Sequence, residues 1–196
     1  MNKFSLLFSL CLYSLALIAQ QPVPIKPRVL ISTDIGGTDP DDNQSMAHLL
    51  MYSDQFELEG LVSSPSYGNG SKAEILRMIG LYEKDLPKLE KHRQGFPSPD
   101  YLRSISKQGR RGAAPYHGYT SATEGSDWII KCAKKQSTQP LWILVWGGLE
   151  DVAQALHDAL EIQSKIRVYW IGGPNKKWGV NSYAYLVEHF PKLWFI

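Results

Sequence analysis

The 196-residue chain contains only two cysteines, Cys11 and Cys132, too few for the disulfide framework of a small secreted domain. It has almost no net charge: 21 Lys+Arg against 19 Asp+Glu leave a formal +2. That balance excludes the strongly basic surface that marks nucleic-acid binders, and no nucleic-acid partner is expected. Internal repeats are absent, and neither Gly147-Gly148 nor Gly172-Gly173 belongs to a dinucleotide or P-loop fingerprint. The five histidines, His48, His92, His117, His157 and His189, show no metal-site spacing; only His117, in the loop Tyr116-His117-Gly118-Tyr119, is a site candidate. What is present is 43% hydrophobic and 20% charged residue content, with Gly 16 and Pro 12. Such a chain can bury a core, and it suits a loop-rich α/β domain rather than a disordered tail or coiled coil.

The longest uncharged apolar run, Phe4 to Ala19, is short for a spanning helix, which needs about 20 residues. Lys3 precedes it, and Ala19 stands where cleavage would fall, before Gln20-Gln21. Residues 1–21 therefore read as a secretory signal peptide, and a secreted or periplasmic location with no membrane partner after cleavage is expected. Residues 22–27 form a Pro-rich lead-in, and 28–196 one domain.

The first strand is Arg28 to Thr33, and Met46, Leu49 and Leu50 predict a helix from Asn43 to about Ser53. A second strand covers Leu58 to Ser64. Ser71 caps a helix whose apolar face is Ile75, Leu76, Ile79 and Tyr82. Residues 87–120 resist assignment; their basic cluster Lys107-Arg110-Arg111 reads as a solvated loop. Ser121 to Gln136 is helical. Leu141 to Val145 is a nearly continuous apolar strand, as in a parallel sheet covered on both faces. Leu149 to Leu160 forms a helix with Val152, Ala155, Leu156 and Leu160 on one stripe. Arg167 to Ile171 is a strand, Tyr183 to Phe190 a helix, and Leu193 to Ile196 begins a fifth strand. The expected fold is α/β, a mostly parallel sheet with helices on both faces.

Four carboxylates, Asp34, Asp39, Asp41 and Asp42, share one loop at the carboxyl end of the first strand, where open α/β sheets bind ligands. Crowded carboxylates repel, and a hard cation relieves them; Ca²⁺ takes 6–8 oxygens and suits an exported protein. The spacing is not that of an EF-hand. Asn69, at the end of the second strand, and Gly147-Gly148, at the end of the third, add polar and main-chain groups. A haloacid-type phosphatase is disfavoured, because Thr33-Asp34-Ile35-Gly36 lacks the second Asp of Asp-x-Asp.

These residues resemble nucleoside hydrolases. Ser32-Thr33-Asp34-Ile35-Gly36-Gly37-Thr38-Asp39-Pro40-Asp41-Asp42 is similar to the family's opening Asp-x-Asp-x-Gly-x-Asp-Asp. Gly60 to Asn69, Trp146 to Ala153, and Ile171-Gly172-Gly173 with Asn181 follow as three further landmarks in order. The forms TDIGGTDPDD and GGPNKKWGVN look closest to an exported bacterial branch, often labelled sugar-binding or cellulose-binding. The resemblance implies a nucleoside hydrolase-like fold and hydrolysis of glycosidic bonds, nominally N-glycosyl, by water attack on an anomeric carbon. It implies Ca²⁺ held by Asp34, Asp42 and the main-chain carbonyl of Glu150. Asp34 would also take the proton of the attacking water. Asp41, Asn69 and Asn181 would bind sugar hydroxyls. The loop is longer here than in the family, so Asp39 could take Asp34's role. Trp178 is either a core residue or a sugar-stacking platform. The alternative function is an extracytoplasmic carbohydrate-binding protein on this scaffold without catalysis. Either way the expected partner is a small-molecule glycoside, nucleoside or carbohydrate. The family's later His-Asp pair has no counterpart here, so the chain is expected to be the N-terminal half to two-thirds of the domain, poorly stable and inactive by itself.

Overall fold

The computed structural model describes residues 25–68 and 70–196. The leader expected over 1–21 and the site candidate Asn69 lie outside the described residues. Six parallel strands form one sheet in the order β3-β2-β1-β4-β5-β6. The strands are β1 (Arg28–Thr33), β2 (Glu57–Ser63), β3 (Ser106–Gln108), β4 (Leu141–Val145), β5 (Ile166–Trp170) and β6 (Trp194–Phe195). Seven helices occur among the described residues: α1 (Asp41–Met51), α2 (Lys72–Leu89), α3 (Pro99–Ser104), α4 (Glu124–Ala133), α5 (Glu150–Asp158), α6 (Pro174–Trp178) and α7 (Val180–His189). None of them is long and apolar enough to cross a membrane.

The β-branched run of β1 is buried along its whole length, because both faces of the sheet are covered. Val29 and Ile31 enter the core beneath α1–α3 with Met46, Leu50, Ile79 and Leu102, whereas Leu30 joins the core beneath α4, α5 and α7 with Ile129, Ile143, Val152 and Leu186. Period-two alternation thus sends one strand into two cores. β1 to β3 run outward in one direction and β4 to β6 in the other. The order therefore reverses between β1 and β4, and the loops after these strands diverge there and open a crevice.

Four sequence expectations need correction. A sixth strand, β3, lies inside the unassigned 87–120 region and pairs with Leu61 to Ser63. The buried face of α2 uses Met78, while Leu76 is part-exposed; Leu160 lies beyond α5 and is 64% exposed. The short helix α6, which Gly172-Gly173-Pro174 introduces, was not foreseen. At the last strand, Arg167 of β5 sits over the rings of Trp142 and Trp194, 5.2 and 5.4 Å from their centroids. The three residues occupy one row of the sheet, so this is a cross-strand cation–π stack set by register.

Candidate functional site

The crevice holds a cavity of about 150 Å³. Pockets for drug-sized ligands begin at roughly 300 Å³, so this one suits a single ring. Asp34, Thr38, Asp39 and Asp41 line it from the β1 loop, Tyr67 from the β2 loop, and Trp146 from the end of β4. Gly172, Gly173, Asn175 and Trp178 line it from the β5 loop and α6. Four strand ends thus converge.

Asp34 is held by close main-chain approach. A Cβ on Gly147 would lie 2.7 Å from the Asp34 amide nitrogen and 3.0 Å from its Cγ, and a Cβ on Gly70 would lie 2.7 Å from its carbonyl oxygen. Both positions need glycine because the loops from β2 and β4 press against the residue after β1. Asp42 lies behind Asp34, buried in the first turn of α1, where negative charge complements the helix dipole. The Thr33 hydroxyl donates to Asp42, and its oxygen accepts the Ile35 amide at 3.0 Å.

The four carboxyls form two pairs. Asp34 and Asp42 share a hydrogen bond, which lowers Asp34 and raises Asp42; burial is the largest cause in both and raises them, repulsion from Asp41 and Asp39 adds to Asp34, and the charge of Asp34 adds to Asp42, which is pushed up to about 7. Asp39 and Asp41 share another on the exposed rim, which lowers Asp39 and raises Asp41. An acid raised in the folded state binds protons there that the unfolded chain has released. Without divalent cations, stability is therefore expected to fall as pH rises from about 4 to about 7, with the full penalty above that. Asp42→Asn should flatten this slope in urea unfolding at pH 5 and pH 8 in chelator, and be more stable than the parent at pH 8. An unchanged slope would refute the paired-carboxyl account.

A buried oxygen pair with raised proton affinity fits the chemistry of a hard cation. The number of donors does not by itself complete a shell: among the described residues no group of three or more His, Cys, Asp or Glu side chains is arranged to hold a metal ion. The Glu150 side chain is 1% exposed and turned to Ser66, whose hydroxyl donates to Oε2 at 2.7 Å; burial raises its pKa. That leaves its main-chain carbonyl as the atom the resemblance assigns.

Asn181 stands elsewhere. Its amide donates to the Ala114 carbonyl at 3.0 Å, and it borders a separate cavity of about 700 Å³ with His117, Tyr119, His157 and Tyr185. Asn175 is the asparagine of the β5 loop that reaches the acidic cavity. Its Nδ2 donates to the Trp146 carbonyl at 3.3 Å, and its buried Oδ1 has no partner. Trp178 is not in the core: it lines the cavity and stacks on Tyr67, centroids 5.0 Å apart and planes 20° from parallel. Tyr67, Trp146 and Asn175 were missed in the sequence. Their only signal was position in a loop after a strand: Trp146 directly follows β4, and Tyr67 and Asn175 lie four and five residues beyond β2 and β5.

The basic cluster holds a loop. The Arg110 amide donates to Asp151 Oδ2 at 2.8 Å, and Lys107 sits 4.2 Å from the centre of the Trp128 ring.

The sequence model of the family described as "Cellulose-binding Sde182, nucleoside hydrolase-like domain" matches residues 28–196. The chain belongs to this family. Among solved structures, it is similar to a nucleoside hydrolase-related hypothetical protein from Saccharophagus degradans that is associated with carbohydrate metabolism. That similarity has 31% identity and a TM-score of 0.73, covering 86% of this chain and 43% of that one. The inosine-uridine preferring nucleoside hydrolase from Bacillus anthracis shares the fold at 18% identity and a TM-score of 0.50, covering 84% of this chain and 62% of that one. This chain thus spans under half the length of the Saccharophagus protein. No curated protein sequence matches it. The nucleoside hydrolase-like α/β fold expected from the resemblance of the four motifs is the observed one.

Proposed function

We propose that the acidic cavity binds one sugar ring of a carbohydrate, glycoside or nucleoside. The observation that carries this reading is the Tyr67–Trp178 stack beside Asp34, Asp39 and Asp41 in one ring-sized cavity. A sugar ring has apolar C–H faces and a rim of hydroxyls. A flat aromatic face takes the first, and carboxylate and amide oxygens accept from the second. Asp41, which lines the cavity, would accept hydrogen bonds from sugar hydroxyls, with Asn175 and, from the neighbouring loop, Asn69 as further candidates. The family's cellulose-binding description and the Saccharophagus relative's association with carbohydrate metabolism support the same ligand class. Export is proposed from the leader-like segment 1–21.

Titration of the full-length protein with cello-oligosaccharides, glycosides and nucleosides, followed by tryptophan fluorescence and calorimetry, tests this. Trp178→Ala should weaken binding about tenfold, equivalent to about 1.4 kcal/mol. An unchanged affinity in the folded variant would remove the cavity from ligand binding.

A second reading, hydrolysis of the glycosidic bond at this site, is favoured by Asp34. It lines the cavity, and burial raises its pKa toward the range where a carboxylate serves as a base. Ca²⁺ would be held by Asp34, Asp42 and the Glu150 carbonyl, and such a cation lowers the pKa of water bound to it. Asp34 would accept the proton of the attacking water. Asp39 and Asp41, on the rim, would oppose the positive charge that develops on the ring.

A further inference from the structure

Glu150, which opens α5, has a side chain that needs its own explanation. A carboxylate at 1% exposure is costly to bury without a purpose. It is wedged among three small residues. Ser66 Oγ donates to Oε2 at 2.7 Å. A Cβ on Gly148 would overlap both that oxygen and the Ser66 hydroxyl. A Cβ on Gly179 would lie 2.9 Å from Oε1 and 2.7 Å from Ser66 Oγ. Oε1, the other carboxyl oxygen, is buried without a hydrogen-bond partner.

The chain neighbours of these small residues are informative. Ser66 immediately precedes Tyr67, and Gly179 immediately follows Trp178. The two segments that carry the stacked rings, from different strand ends, therefore meet on one carboxyl. The Gly179 amide donates to the Asn175 carbonyl at 2.8 Å, which ties this contact to the turn presenting Asn175 as well.

We infer that the Glu150 carboxyl is a clasp that sets the spacing of Tyr67 and Trp178 by joining Ser66 to the Trp178-Gly179 junction, a positioning role separate from any role of its main-chain carbonyl. The ligand-affinity part of this inference rests on the sugar-ring reading; the ring geometry does not. The clasp also accounts for glycine at 148 and 179, since alanine at either would displace the carboxyl.

The test uses the full-length protein and two readouts. Tyr67→Ala defines the contribution of the stacked pair to the near-UV circular dichroism spectrum. Glu150→Ala should lose most of that contribution while far-UV spectra stay unchanged, and Glu150→Gln, which keeps shape and an acceptor oxygen, should retain it. Affinity for a bound sugar should fall at least fivefold in Glu150→Ala and stay within twofold in Glu150→Gln. Adding Glu150→Ala to Trp178→Ala should cause no further loss, because the clasp acts through the ring. If Glu150→Ala does not fold, Ser66→Ala removes the one hydrogen bond and should lose part of the same spectral contribution. A folded Glu150→Ala or Ser66→Ala protein with the spectral contribution intact would overturn the inference, as would full additivity with Trp178→Ala. If no sugar binds the parent protein, the sugar-ring reading fails, and the spectra alone decide the clasp.

Discussion

Glu59→Ala is expected to lower the unfolding free energy by about 3–5 kcal/mol, the range for stranding one partner of a buried ion pair. Arg28 Nε donates to Glu59 Oε1 at 2.6 Å, and the two side chains are 5% and 0% exposed. The same guanidinium donates to the carbonyls of Cys132 at 2.7 Å and Gln139 at 3.0 Å. It thereby joins β1 to the end of α4 and the turn before β4. Burial alone would raise Glu59, but Arg28 and Lys135 outweigh it and hold the carboxyl below its usual range. Its stabilisation is therefore present above the unfolded pKa and is lost only as pH falls through the lowered folded one. With alanine at 59, Arg28 keeps its burial and loses its counter-charge. Urea unfolding at pH 7 measures the loss. The double variant Arg28→Leu with Glu59→Leu should lose clearly less than the sum of the single changes, because it removes both desolvated charges. A single-variant loss under about 1 kcal/mol, typical of an exposed pair, would show that the pair is solvated.

On the proposed hydrolysis reading, Asp34→Asn is expected to reduce turnover of a glycosidic substrate by the full-length protein with Ca²⁺ supplied by about 10²–10⁴-fold, the usual contribution of a positioned general base. The amide fits the same space between Gly147 and Gly70 but accepts no proton. It also removes the repulsion that raises Asp42. The variant should therefore fold, stay within about 1 kcal/mol of the parent in stability, and retain part of its sugar affinity through Tyr67 and Trp178. Reducing-sugar and base-release assays over a panel of nucleosides and glycosides measure turnover. If the parent binds a sugar and turns over no member of the panel, the scaffold binds without catalysis. If Asp34→Asn keeps full turnover while Asp39→Asn loses it, the base is on the rim, as the longer loop allows.

Legibility differed between elements for physical reasons. β1 and β4 were readable to the residue, because Arg28–Thr33 and Leu141–Val145 are apolar runs ended by polar or glycine turns. β3 was not. Ser106–Gln108 has no strand pattern of its own and is a strand only because Leu61 to Ser63 present unpaired main-chain groups to it. Likewise Leu160 fits the stripe of α5 by spacing, but the helix ends at Asp158 and the stripe ends with it.

The site divided in the same way. Asp34, Asp39 and Asp41 are close in sequence, and the strand end before them announced a loop at a ligand edge, so local reading found them together. Trp178 was legible only as one of two alternatives. Asn175 and Asn181 are six positions apart and chemically identical; the turn of α6 sends one to the acidic cavity and the other to Ala114.

Sequence alone determined the α/β class and the acidic loop at the end of β1, because hydrophobic periodicity and residue type act over a few neighbouring positions; the family was legible through the resemblance of four motifs in order. Only the tertiary structure decided which loops share the cavity, that Asp34 pairs with Asp42, that Tyr67 lies on Trp178, and that the Glu150 side chain turns to Ser66 and Gly179. Those outcomes depend on contacts across the β1/β4 switch point between residues as much as 144 positions apart, from Asp34 to Trp178, and no local pattern encodes which loops will close on one another.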